Sequence, residues 1–289
     1  MRTLRYPLMA ACVVALIGGC GKPDGPATPS KPADKPQPVV GAPTVPTAAG
    51  EDLKASAITA ATVFLKTVQE GKATSASLAP AFKKVIAPAE LDADKAAGYS
   101  ESGVREWLAR LKWEGGSIAV AINHATADFA IAKTPYSQGE KDGSANIYIW
   151  LVRQESQWLV GEMLIDHVFG KFDIPDGEAA ATTFAVRSFA DGLIQKNLPK
   201  LESRMTKALK AKLAPPRFPA DDAQGYSSSA LKTAFAELSA GRVAVPKVEL
   251  KGNAATLEVF AGDARKTIDV KLVPGATPGE FLIDDLQQK

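Results

Sequence analysis

Cysteine and histidine are nearly absent from this chain. Cys12 and Cys20 are its only thiols and His124 and His167 its only imidazoles, among 289 residues. Beyond residue 20 no disulfide and no cysteine-bound zinc is possible. Two histidines without a further ligand at helpful spacing give no metal centre. An excess of one charge is missing too: 34 Lys and Arg face 32 Asp and Glu, a formal net charge of +2. Nucleic-acid binders normally carry a strong basic excess, so that class is set aside. The chain has no phosphate-binding loop, dinucleotide fingerprint, His-Glu-x-x-His or calcium loop. No cofactor is expected, and no catalytic constellation stands out.

What is present begins with a leader. Arg2 and Arg5 precede an apolar run from Leu8 to Ile17, followed by Gly18-Gly19-Cys20. A basic start, a short apolar stretch and small residues at the break are the features of a secretory signal, too short to span a bilayer permanently. Ile17-Gly18-Gly19-Cys20 resembles the lipobox of bacterial lipoproteins. That resemblance implies removal of residues 1–19 and a diacylglycerol on Cys20, making the lipid bilayer a partner. A plain signal peptide cut elsewhere is the alternative. Gly21, rather than Asp, follows the cysteine. By resemblance to the sorting rule of Gram-negative lipoproteins, this favours the outer membrane, facing the periplasm, in a two-membrane organism. Residues 21–50 then hold eight prolines, so this stretch reads as an unfolded polyproline-rich tether. Fully extended at about 3.1 Å per residue, it would reach on the order of 90 Å.

The remainder repeats itself. Gly98-Tyr99-Ser100-Glu101-Ser102 returns as Gly225-Tyr226-Ser227-Ser228-Ser229 with one position changed. Ala60 to Phe64 is echoed by Ala180 to Phe184, and Leu164-Ile165-Asp166 by Leu282-Ile283-Asp284. Two related units follow, 51–170 and 171–289, although two unrelated domains remain the alternative. In the first, Ala57, Ile58, Ala61, Phe64, Leu65 and Val68 have helical spacing and Gly71 ends the helix. A second helix covers Leu78 to Ile86, and Ser100 caps a third that presents Val104, Trp107, Leu108 and Leu111. Strands follow at Ser117 to Asn123, Asp128 to Ala132, Asn146 to Arg153 and Trp158 to Val168, with a polar loop from Thr134 to Ser144.

The second unit keeps that order. Phe184, Ala185 and Phe189 carry its first helix, Asn197 caps a single helix running to Leu213, and Leu231, Ala234, Phe235 and Leu238 face inward from another. Strands then run near Val243 to Leu250, Ala255 to Phe260, Arg265 to Val273 and Glu280 to Leu286. The fold class is α+β: two tandem cone-shaped domains, each with three N-terminal helices packed on a curved antiparallel sheet.

This order of elements, with Gln157-Trp158-Leu159-Val160 leading to Ile165-Asp166 and Glu280-Phe281-Leu282 to Ile283-Asp284, resembles the nuclear transport factor 2-like superfamily. The resemblance implies cone-shaped units that pack sheet to sheet as an internal pseudo-dimer. It spans binding and assembly domains as well as small isomerases and cyclases, so it does not choose a function. All four tryptophans, Trp107, Trp113, Trp150 and Trp158, lie in the first unit. A candidate pocket is drawn around Trp107, Tyr148, Trp150, Trp158 and His124, against the plainer reading that these rings fill a core. Asp166 and Asp284 suit either a general base or a turn. Lys200, Arg204, Lys207 and Lys210 form a stripe for anionic lipid or polymer, or else a solvated helix face. The expectation is a membrane-anchored envelope lipoprotein with a non-catalytic binding or assembly role, its further partner an envelope protein, a polymer or a small ligand. The rival is a small isomerase- or hydrolase-like enzyme using a pocket in the first cone.

Overall fold

A computed structural model describes residues 47–89, 91–111, 118–136, 145–165 and 173–289. The expectations for the leader, Cys20 and most of the tether, and for Trp113, Asp166 and His167, fall outside these residues. Helix α1 (Thr47–Gln69) buries Ala57, Ala61, Phe64, Leu65 and Val68 of the expected stripe but leaves Ile58 exposed. The chain leaves α1 through Gly71, whose φ of +67° is a left-handed value that glycine adopts without strain. Helix α2 (Pro80–Ile86) starts on a proline, which needs no hydrogen-bond acceptor in the first turn. Helix α3 (Glu101–Arg110) is capped by Ser100 Oγ, which accepts from Gly103 N. Four antiparallel strands follow in spatial order β1 (Ala121–Ala125), β2 (Phe129–Tyr136), β3 (Ala145–Gln154) and β4 (Gln157–Ile165). Strand β2 runs past Ala132 into the expected loop, because Thr134 and Tyr136 still find partners in Ile147 and Ala145.

The second half has helices α4 (Ala179–Gln195), α5 (Leu198–Ser203), α6 (Lys207–Leu213), α7 (Pro219–Asp222) and α8 (Ser228–Leu238). A second antiparallel sheet follows in the order β5 (Val243–Lys251), β6 (Ala254–Ala261), β7 (Ala264–Pro274) and β8 (Phe281–Gln288). Helices followed by antiparallel sheets make the class α+β, as the sequence indicates. The single helix expected from Leu198 to Leu213 is instead broken. Ile283 N donates to Arg204 O at 2.8 Å and Thr206 N to Ile283 O at 2.9 Å, so Met205 pairs with β8 as a one-residue strand. Thr206 restarts the helix: its Oγ1 accepts from Leu209 N at 3.1 Å and donates to Asp284 Oδ1 at 3.0 Å. Thr206→Ala removes both bonds and is expected to cost about 1–2 kcal/mol, read as a lower denaturation midpoint.

The same backbone contacts recur in both halves, in a register that corrects two of the three echoes. Leu78 bridges Val160 as Met205 bridges Ile283, and both pairs are parallel. Ser100 N donates to Ala87 O, and Ser227 N to Ala214 O, each at 2.8 Å. Val160 therefore answers Ile283, so Leu164-Ile165-Asp166 is not the counterpart of Leu282-Ile283-Asp284. At the ends of α1 and α4, Lys72 N reaches Thr67 O and Asn197 N reaches Gly192 O. That matches Phe64 with Phe189, not with Phe184.

Helix α4 organises the core of Pro46–Lys289, which forms one compact unit. Residues 180–193 are all buried. Val186, Phe189, Ala190 and Leu193 pack into the core under the second sheet, with Leu257, Val270 and Ile283. Ala180, Ala181 and Phe184 pack on the other side, against Ile131, Tyr148 and Trp150 of the first sheet. A helix apolar around most of its circumference is stable only when wrapped in this way. The outer face of the first sheet therefore meets α4, with Phe281 at the start of β8 packed against the same cluster. The β7–β8 turn reaches it as well: a Cβ on Gly279 would lie 2.4 Å from the Phe129 ring. Only glycine admits that approach.

Candidate functional site

Strand β3 decides where the aromatic candidates go. Ile147, Ile149 and Leu151 face the helices α1 to α3, in one core. Tyr148, Trp150 and Val152, on the alternate positions, face α4 in another. Tyr148 is fully buried and Trp150 is 7% exposed. Trp158 belongs to the helix side, where its Nε1 donates to Ser56 Oγ at 3.0 Å. Trp107 is on that side too, with its ring edge-on to Phe82 at 5.3 Å. His124 lies 5.3 Å from the Phe129 ring. The structure brings Tyr148 and Trp150 together and separates them, by the thickness of the sheet, from Trp107 and Trp158. Trp107 alone of the five borders a described cleft, about 440 Å³ beside α3, with Leu91, Asp94, Glu106 and Arg110.

The hydroxyl of Tyr148 is already engaged. It donates to the Asp173 carboxylate and accepts from Ile174 N at 3.3 Å. Lys133 Nζ lies 2.7 Å from the same carboxylate. Burial raises the Asp173 carboxyl, but the Lys133 and Tyr148 hydrogen bonds outweigh it and hold the group below the usual carboxylate range. This triad fastens the chain ahead of α4 over Tyr148.

Beside Trp150 lies a group of charged residues that the sequence reading does not single out as a cluster. Glu162 of β4, Asp191 of α4, and Lys200 and Arg204 from and just after α5 are all under 9% exposed. Arg204 Nη2 pairs with Glu162 Oε2, while Arg204 Nε donates to Ser188 Oγ at 2.9 Å. Ser188 Oγ donates in turn to Glu162 Oε1, which also receives Lys200 Nζ at 3.1 Å. Lys200 Nζ joins Asp191 Oδ2, and Gln195 Nε2 donates to Asp191 Oδ1 at 2.9 Å. The Arg204 guanidinium lies over the Trp150 ring at 5.3 Å and the Phe184 ring at 5.9 Å. Burial lowers its pKa to about 10, opposed by the Glu280 carboxylate, so it stays charged at neutral pH.

Two anions and two cations balance here, and all four carboxylate oxygens carry a donor. Such a network joins elements; it leaves no carboxylate oxygen free to take a substrate proton. Lys200 and Arg204 accordingly do not belong to a solvated or lipid-facing stripe. They are core residues, and of the four proposed stripe positions only Lys207 is exposed. The sequence signal is Arg187, Ser188 and Asp191, charged and polar residues among Phe184, Val186, Phe189 and Leu193 of one helix.

A second arrangement is duplicated. Lys83 Nζ lies 5.1 Å from the centre of the Tyr99 ring, and Lys210 Nζ lies 5.1 Å from that of Tyr226. Both tyrosines belong to the repeated Gly-Tyr-Ser. Ser75 Oγ donates to Glu101 Oε1 at 2.6 Å. The second half carries the same two residue types exchanged, as Glu202 and Ser228, and Glu202 Oε1 has no partner among the described residues. Burial raises the Glu202 carboxyl, against the nearby Lys210. Burial likewise lowers the Lys210 ammonium, against Glu202. Each lysine clamps its repeated loop onto the preceding helix, which gives Gly-Tyr-Ser a structural task in both halves. Comparison of the chain with protein-family models and with curated protein sequences gives no match.

Proposed function

We propose that this chain is an exported envelope lipoprotein, held on the bilayer through acylated Cys20 and a proline-rich tether, with a non-catalytic binding or assembly role. Its body is read as two related cone-shaped units of the nuclear transport factor 2-like kind. The recurring bridges at Leu78/Val160 and Met205/Ile283 support that kinship. The buried network of Glu162, Asp191, Lys200 and Arg204 is the observation that carries the non-catalytic reading. The polar groups that a catalytic pocket would need beside Trp150 are instead spent on joining β4 to α4 and α5. No described helix is long and apolar enough to cross a membrane, and the proposed attachment does not require one. Two acyl chains give far firmer anchoring than one.

Cys20→Ala tests the anchor. The unaltered protein is expected to sediment with membranes and to enter the detergent phase on phase partitioning. The variant is expected to keep residues 1–19 and to take up no labelled fatty acid, whereas the unaltered protein does, with unchanged far-UV circular dichroism spectra. Fatty-acid label on the Cys20→Ala chain, or none on the unaltered one, would contradict attachment through Cys20.

A further inference from the structure

One cavity in the second half takes no part in the contacts described above. It lies between α5 and α8, encloses about 220 Å³ and has an apolar floor of Leu198, Leu201 and Phe235. Cavities of about 150 Å³ with such walls hold a benzene ring. Lys196 and Lys232 line its mouth, both exposed, and no acidic side chain lines it. Neither ammonium group has an ion pair or hydrogen bond among the described residues. Ser239 also borders it, but its hydroxyl donates to Phe235 O at 2.6 Å. The two lysines are therefore the side-chain donors offered to a ligand.

Lys196 holds its place against backbone preference. Its φ of +53° is left-handed, whereas the matching turn after α1 is made by Gly71 at +67°. Glycine or asparagine is the usual occupant of such a helix end. An apolar floor under two uncompensated cations is complementary to an anion with an apolar body.

We infer that this cavity binds a small carboxylic acid, its ring or chain against Leu198, Leu201 and Phe235 and its carboxylate between Lys196 and Lys232. The inference goes beyond the anchoring proposal and is independent of it. The test is an NMR titration of the chain carrying Cys20→Ala, which keeps lipid out of the assay. The probes are 3-phenylpropanoate and its uncharged match, 3-phenylpropan-1-ol, followed at the amides of Lys196, Phe235 and Ser239. The acid is expected to shift these amides saturably and to bind about tenfold or more tightly than the alcohol. Lys232→Glu is expected to weaken the acid by about tenfold or more. Lys196→Gly is the discriminating variant: it should raise the melting temperature by about 2 °C, because glycine suits the turn, and yet weaken the acid severalfold. The inference is overturned if the alcohol binds as well as the acid, if Lys196→Gly stabilises without loss of affinity, or if neither probe gives saturable shifts by about 10 mM.

Discussion

Glu162→Ala is expected to destabilise the folded body by about 3–5 kcal/mol, the cost of leaving buried charges without their partner. Arg204 would lose its carboxylate and Lys200 one of two, while both stay under 9% exposed. The loss should fall on both halves together, because Glu162 belongs to β4 and its partners follow α4. Tryptophan fluorescence reports on the first half, which holds all four tryptophans, and far-UV circular dichroism on both. In the unaltered protein the two denaturant transitions should coincide. In Glu162→Ala both should move to lower denaturant by the same amount and still coincide. A shift worth under about 1 kcal/mol would mean that the network is solvated and holds little.

Phe184→Ala is expected to cost a similar amount, about 3–5 kcal/mol, for a different reason. Its ring is 3% exposed, 6.4 Å from the Trp150 ring, and one of the two aromatic faces beneath Arg204. Truncation opens a cavity between the first sheet and α4 and removes part of the support under a buried cation. Equilibrium unfolding in urea measures it. An effect as small as that of an exposed position such as Val63, 55% exposed, would contradict the packing of α4 against the first sheet.

Much of this fold can be read from the chain. The spacing of Ala57, Phe64 and Val68, the serine before α3 and the alternation along β3 each identify an element, because helix and strand periods differ. Less legible was which surfaces meet. In β3, Ile147 to Val152 is apolar at every position, a pattern that marks a strand covered on both faces. Residues 179–193 read as a helix apolar nearly all round. Each of these is incomplete alone, and the structure makes them partners. The corresponding positions of β7 are Asp269 and Lys271, in place of Tyr148 and Trp150, as fixed by the matching bulges before Leu151 and Leu272. Asp269 there binds Thr256 and Lys289. The second sheet thus has a polar outer face where the first has an aromatic one, and of the described tryptophans Trp150 covers α4 while Trp107 and Trp158 lie on the opposite side.

The pairing of Glu162 with Arg204 and Lys200 was not legible. It depends on the break at Met205 and on the placement of α5 beside β4, neither of which has a local sequence signal. The register of the repeat is hidden in the sequence for a related reason. Short Ala-rich or Leu-Ile-Asp matches carry little information, whereas the bridges at Val160 and Ile283 are fixed by backbone hydrogen bonds.

The most direct test of the proposed function is the mass of the N-terminal peptide of the protein isolated from its native membranes. The account predicts a mature chain that begins at Cys20 and carries a diacylglyceryl group on its sulfur. A mature chain that begins elsewhere, or an unmodified Cys20 within a longer peptide, would contradict it.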